Sequence, residues 1–245
     1  LMDSNDIHIK GPVMGPFFMH ALPRRKVLGM AVALLGLPAA PAALANSFED
    51  FFRAIAADNP QTLETLRRRG FDLNTRNEKM EPPLTLSLRL SALQVADNLI
   101  GRPEVDVQAA NAQDETPLMM AALKGHLAQA FALVERGAQV NKPGWAPLHY
   151  AATHAGDHAP ALVDLLLEHH AYIDAASPNG STPLMMATMY GRSSVVGQPV
   201  GAGADPTLRN DKGLSAIDFA HRAGRQADAE RIAAAIRARQ PKGRW

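Results

Sequence analysis

The chain has no cysteine, few aromatic residues and almost no net charge, and each shortage narrows what it can be. Without cysteine there is no disulfide, no thiol nucleophile and no cysteine-ligated zinc. Aromatics make up 5% of 245 residues, which excludes a thick core built around Phe, Tyr and Trp. The balance of 25 basic against 24 acidic residues, +1 overall, offers no broad attraction for nucleic acid or an acidic membrane. The longest apolar run, Val27 to Leu37, is eleven residues, well short of the roughly 20 that a membrane-spanning helix needs. What remains, 47% hydrophobic and 20% charged, is the composition of a folded, soluble chain.

That apolar run follows Arg24, Arg25 and Lys26 and ends in the small residues Ala43-Leu44-Ala45. A basic start, a short apolar middle and a small-residue end is the order of a secretory signal peptide, so residues 19–45 are expected to be an address removed after Ala45. The Arg24-Arg25 pair before a weakly hydrophobic, glycine-containing run is similar to a twin-arginine signal. Pro23, Val27 and Gly29 depart from that pattern, and the general secretory route stays open beside it. Residues 1–18 precede a candidate start at Met19, show no periodicity and read as a non-native or disordered extension. Cleavage would leave 21 basic and 22 acidic residues, a near-neutral product expected in the periplasm and without stable membrane insertion.

The rest of the chain repeats. Pro-Leu recurs at Pro83-Leu84, Pro117-Leu118, Pro147-Leu148 and Pro183-Leu184, and Ala216-Ile217 continues the series, at spacings of 34, 30, 36 and 33. A second marker, Gly137-Ala138, His170-Ala171 and Gly203-Ala204, keeps intervals of 33, so the short and long spacings around Pro147 compensate within one unit. In the unit from Asp114 to Ala138, Thr116 can cap a helix, Pro117 suits its first turn and Gly125 ends it. A second helix then runs to Arg136 and Gly137 closes it. Each unit is therefore a helix, a turn, a second helix and a loop.

Thr116-Pro117-Leu118, Ala146-Pro147-Leu148-His149-Tyr150-Ala151-Ala152, Thr182-Pro183-Leu184, Gly137-Ala138-Gln139-Val140-Asn141 and Gly203-Ala204-Asp205-Pro206 resemble ankyrin repeats. Several matches at one period make the resemblance specific. It implies an all-α ankyrin-repeat solenoid of five to six helix-turn-helix units with short β-hairpin-like loops over residues 46–240, and a tail at 241–245. The N-terminal unit, from Ser47, replaces the signature with Phe48-Glu49-Asp50-Phe51-Phe52, as a terminal unit with one face to water can. In the unit from Ser181, Gly197 and Pro199 lie inside the second helix. A kinked or shortened helix is expected there, since interior Pro costs about 3 kcal/mol.

Signatures of catalysis are missing: no phosphate-binding glycine loop, no Gly-x-Ser-x-Gly elbow, no His-Glu-x-x-His helix. His149, His154, His158, His169 and His170 form the one suggestive cluster and would be the centre of a metal-dependent enzyme. Against that, Gly156 interrupts any helix joining His154 to His158, and a tetrahedral site needs three or four convergent ligands. The preferred reading has no metal and no cofactor. Asn179-Gly180-Ser181 matches a glycosylation acceptor but suits a tight turn better. Arg231, Arg237, Arg239, Lys242 and Arg244 read as a solvated helix end favoured by the helix dipole, with an acidic partner as the lesser alternative.

The resemblance implies a non-catalytic module that binds another protein through a concave surface of inner helices and fingers, with a monomer expected. Met120, Tyr150 and Met186 are assigned to equivalent helix positions on that surface. Leu123, Lys124, Thr153, His154, Met189 and Tyr190 follow one turn on, and Asp114, Glu115, Trp145 and Asn179 come from the fingers. Methionine as adaptable filler and aromatics as rigid anchors suit an interface. Packing against the next repeat is the competing role for the methionines. A secreted effector acting on a host protein is the alternative place of work.

Overall fold

Proline and hydroxyl residues at repeat-spaced positions set where the helices begin. In the computed structural model, which describes residues 42–239, Thr116 and Thr182 accept hydrogen bonds from the backbone N–H of Met119 and Met185 at 3.3 and 3.4 Å, and Ser215 accepts from Asp218 N at 3.4 Å. Each hydroxyl satisfies a backbone donor that the first helical turn leaves free. Pro83 follows Pro82 and Pro147 follows Ala146, so these two helices start on proline's fixed φ without a hydroxyl cap at the preceding residue.

The elements are α1 Ala42–Ala56, α2 Pro60–Arg68, α3 Pro83–Leu90, α4 Leu93–Ile100, α5 Pro117–Lys124, α6 Leu127–Glu135, α7 Pro147–Thr153, α8 Ala159–Glu168, α9 Pro183–Met189, α10 Ser193–Gly201, α11 Ala216–Arg222 and α12 Gln226–Arg239. Among the described residues there is no strand. Odd-numbered helices pack on the next odd-numbered helix, even on even, and each odd helix on the even one after it. Among the described residues the result is a stack of six helix pairs in two layers. The expected signal segment and the tail at 241–245 lie outside the described residues, except that α1 begins at Ala42, ahead of the expected cleavage point.

One apolar core runs along the stack. Leu84, Leu118, Leu148 and Leu184 repeat at one register of the first layer, and Leu63, Leu99, Leu133 and Leu166 fill the second. Burying a Leu contributes about 1.5–3 kcal/mol. Ala121, Ala122, Ala151 and Ala152 are fully buried and let neighbouring helices approach closely. This is the thin, aromatic-poor core that the composition requires.

The loops before the first-layer helices are turns tied across their base. Asn77 N donates to Glu81 O at 3.1 Å, Asn111 to Glu115 at 3.0 Å, Ser177 to Ser181 at 3.0 Å and Asn210 to Leu214 at 3.0 Å. The Asn77, Asn111 and Asn210 side chains accept from backbone N–H groups two and four residues on. Asn179-Gly180 belongs to such a turn: Gly180 has φ +71, and a Cβ there would press on Asp211 and Asn210. The turn reading of Asn179-Gly180-Ser181 is thus what the fold uses.

The expectation of a shortened second helix in the unit from Ser181 is corrected. α10 is continuous over nine residues with Pro199 inside it. Pro199 sits in the last turn, where its ring removes one backbone hydrogen bond rather than interrupting a longer ladder. It is buried at the register where α6 and α8 carry Leu133 and Leu166, and its carbonyl accepts from Ala204 N at 2.8 Å as theirs do from Ala138 and Ala171.

Candidate functional site

The fourth residue of α3, α5, α7, α9 and α11 points into the stack. Leu86, Met120, Tyr150, Met186 and Phe219 occupy this register and all are buried. Met120, Tyr150 and Met186, expected on a binding surface, are 1%, 0% and 4% exposed and belong to the core. The reason is packing between repeats: α5, α7, α9 and α11 lie side by side, and at Tyr150 the finger residue Glu115 reaches its hydroxyl. Tyr150 Oη donates to Glu115 Oε1 at 3.1 Å, and Asn111 Nδ2 donates to Glu115 Oε2 at 2.8 Å. Glu115 is itself buried, so it too leaves the candidate surface and becomes a tie between one finger and the next repeat. Burial, and then the Glu115 carboxylate, push the Tyr150 hydroxyl far above its usual range, so it stays a neutral donor.

Trp145 is half-buried beside this tie, edge-on to His149 at 5.3 Å and to Tyr150 at 6.5 Å between ring centres. His149 lies beneath it, fully buried. Its Nδ1 accepts from Ala146 N at 3.2 Å, which leaves Nε2–H to donate to Ser181 O at 3.0 Å. Burial holds His149 below the ordinary imidazole range. His149 therefore caps its own helix and ties it to the next finger, and both ring nitrogens are used.

One turn further along the first-layer helices, surface begins. Leu123, Thr153, His154, Met189 and Tyr190 are half-buried and Lys124 is exposed. Thr153 Oγ donates to Tyr150 O at 2.7 Å, and His154 Nδ1 pairs with Leu123 O at 3.1 Å. Lys124 makes no ion pair among the described residues. At the finger tips Asp114 is exposed and paired with Lys142, while half-buried Asn179 accepts from Ser177 Oγ at 2.6 Å. The structure thus brings Leu123, Lys124, Thr153, His154, Met189 and Tyr190 into one row of repeated positions, with Asp114, Trp145 and Asn179 in the fingers beside it.

His126, His154 and His158 are also joints between repeats. His126 Nε2 pairs with Leu88 O at 3.2 Å, and His158 Nδ1 with Gly125 O at 2.9 Å. The His154 ring covers Gly125 and Gly156 so closely that a Cβ at either would overlap it, and Gly125 also has φ +78. Among the described residues no three His, Asp or Glu side chains converge as metal ligands. His169 and His170 are exposed at the end of α8.

Arginines perform the same joining with more reach, which the sequence pattern did not single out. Arg136 donates to the carbonyls of Ile100, Arg102 and Val105. Arg225 donates to those of Ala187, Thr188 and Gly191 at 2.9, 3.0 and 2.7 Å. Arg231 reaches Ser193 O and Arg239 reaches Ala204 O, so two cations of the C-terminal run are spent on the preceding repeat. For Ile100, Ala187 and Thr188 the signal available was the C-terminal position of the carbonyl acceptor in α4 or α9, a site that favours cations.

A second partly exposed apolar area, absent from the sequence reading, lies between α1, the first finger and α3. It includes Phe48, Phe52, Leu86 and Leu90 around a groove of about 450 Å³.

With this geometry in view, residues 139–210 match the family model for ankyrin repeats in three copies, and residues 113–144 match that for a single ankyrin repeat. Residues 113–210 are thus ankyrin repeats. It is 29% identical over 146 residues to mouse ankyrin repeat and SAM domain-containing protein 6, covering 59% of this chain and 13% of that one. It is 36% identical over 101 residues to mouse protein fem-1 homolog A-like, covering 40% of this chain and 15% of that one. The chain thus spans under a sixth of the length of these relatives. Among solved structures, it superposes with a TM-score of 0.65 at 23% identity on a chain of the complex between the Bdellovibrio bacteriovorus predatory endopeptidase Bd0816 and immunity protein Bd3460. That superposition covers 76% of this chain and 97% of the other, and identifies the fold.

Proposed function

We propose that this protein is an exported, periplasmic module that binds another protein, without catalysis, through the first-layer helices and their fingers. Ankyrin repeats indicate a protein–protein interaction module, and repeat arrays generally work through extended surfaces rather than catalytic centres. The single observation that carries the placement is the row Leu123, Lys124, Thr153, His154, Met189 and Tyr190. These side chains stay partly or fully exposed at equivalent positions directly above a closed core. Trp145, Asp114 and Asn179 border the row. Arg24-Arg25-Lys26 with the apolar run to Leu37 supports export, by the twin-arginine or the general secretory route.

The partner class we favour is an exported endopeptidase, because the similar solved fold comes from a complex of an endopeptidase with an immunity protein. The test is affinity capture from periplasmic extract on the full chain, beside a folded Leu123→Asp, Met189→Asp variant. A protein retained by the first and lost by the second supports the site. Equal retention moves the site elsewhere, and recovery of the chain in culture supernatant favours action on a host protein instead.

A further inference from the structure

We infer that the first-layer row of Leu123, Lys124, Thr153, His154, Met189 and Tyr190 takes an acidic segment of the partner, one that sets apolar side chains against Leu123, Met189 and Tyr190 and a carboxylate against Lys124. This rests on the protein-binding reading above and says which partner chemistry the row selects.

In the middle of the stack the two layers carry opposite charge. The first-layer helices α3, α5, α7 and α9 contain Arg89 and Lys124 and no carboxylate. The second-layer helices α4, α6, α8 and α10 contain Asp97, Glu135, Asp164 and Glu168, all exposed, and no Lys or Arg. Arg136, next in the chain to Glu135, is turned onto the carbonyls of the preceding repeat. The net charge of +1 conceals this separation. The helix dipole does not account for it. The dipole favours cations at C-terminal ends and so suits Arg89 and Lys124, yet Glu135 and Glu168 are the last residues of α6 and α8, where it disfavours them. An acidic segment is drawn to the first layer and repelled by the second.

Around the row itself the carboxylates are taken and one cation is not. Asp114 in the finger pairs with Lys142, and Asp157 in the turn behind the row pairs with Arg192. Glu115 is buried and accepts from Tyr150 Oη and Asn111 Nδ2. Lys124 is exposed and makes no ion pair among the described residues, and the neighbouring His126 imidazole feels its charge without offering a negative one. At the outer fingers the exposed carboxylates sit next to lysines in the chain, Glu78 beside Lys79 and Asp211 beside Lys212, so neither finger adds a sign. Leu123, Met189 and Tyr190 are half-buried and packed against the core, so each presents an apolar edge already held in place. A segment that covers the row without a carboxylate buries the Lys124 ammonium unpaired, and a basic one sets like charges together. Apolar residues interleaved with Asp or Glu avoid both costs.

The test pans a random-peptide display library against the full chain and measures the best synthetic peptide by fluorescence anisotropy on four proteins of confirmed helicity. These are the parent, Lys124→Glu, Met189→Asp, and Glu135→Lys on the second layer. The expected winner carries more Asp and Glu than Lys and Arg beside its apolar residues. Its affinity falls several-fold with Lys124→Glu, at least about tenfold with Met189→Asp and not at all with Glu135→Lys, and it weakens as salt rises from about 0.05 to about 0.3 M. The same peptide with lysine in place of its acidic residues binds Lys124→Glu better than the parent. If Met189→Asp fails to fold, Met189→Ala gives the same reading at smaller amplitude. Winners that are lost with Met189→Asp but are neutral or basic, or are indifferent to Lys124→Glu and to salt, overturn the inference and leave the protein-binding row intact. Winners that bind Met189→Asp as well as the parent overturn both, and a library with no binder counts against both.

Discussion

At the scale of single residues, the same side chains that suggested chemistry turn out to hold repeats together. His149 shows this most directly, since both its nitrogens serve backbone groups on either side of a repeat boundary. His149→Leu leaves the Ala146 N–H buried without a partner and takes one of two donors from the Ser181 carbonyl, which keeps Ser177 N–H, and we expect it to lower stability by about 1–3 kcal/mol in urea unfolding. Its pKa also fixes a pH dependence. Burial holds His149, His126 and His154 below the imidazole value of about 6.5. Below that pH the unfolded chain therefore binds more protons than the folded one. Stability is complete above the unfolded value and falls as the pH drops through 6.5 toward the folded values. His149 alone contributes a slope of up to about 1.4 kcal/mol per pH unit. Urea midpoints at pH 7.5, 6.5 and 5.5 measure it, and His149→Gln should flatten the slope. Glu64 acts in the same sense at lower pH. Hydrogen bonds from Arg67 and Arg68 hold its carboxyl at about 2, below the usual 4.5, so its contribution is complete above the usual value and is lost as the pH falls from there toward 2.

At the scale of elements, the helices were readable where the capping chemistry is local, and unreadable where a neighbour decides. Thr116, Thr182 and the Pro-Leu pairs mark helix starts because cap and donor lie within three residues. The fate of Met120, Tyr150 and Met186 could not be read in the same way. A methionine at an interface and one in a core have the same local sequence, and only the packing of the adjoining repeat distinguishes them. The N-terminal groove was hidden for a related reason: Phe48-Glu49-Asp50-Phe51-Phe52 carries no repeat signature, and the groove exists only once α1 and α3 lie side by side. α10 is the element held least by its own sequence. Replacing Pro199 by Leu restores a backbone donor and puts at this register the residue that α6 and α8 carry. We expect a gain of about 1–3 kcal/mol, visible as slower amide hydrogen exchange across Ser193–Gly201.

At the scale of the whole molecule, stability is carried from repeat to repeat, because each pair of helices touches only the pairs beside it. The carbonyl-gripping arginines are the joints of that chain of contacts. Arg225 links the last pair to α9 and pairs with buried Asp228 at 2.8 Å, so Arg225→Ala should loosen α11 and α12 ahead of the rest. Hydrogen exchange then shows α12 opening well below the global unfolding free energy while α5 to α8 keep their protection. The repeat period of the sequence foretold this architecture, since spacing is a property of the chain alone. The surface left over for a partner could be seen only after the stack had closed, which removed Met120, Tyr150, Met186 and Glu115 from it and left Leu123, Lys124, Met189 and Tyr190.

The measurement that tests the central claim most directly is site-specific photo-crosslinking in intact cells, with the crosslinker placed at Met189 on the first layer and, separately, at Glu135 on the second. The account predicts a discrete protein adduct from Met189, recovered with the periplasmic fraction, and none from Glu135. An adduct from Glu135 and not from Met189, or no adduct from the first-layer row at any position, would contradict it.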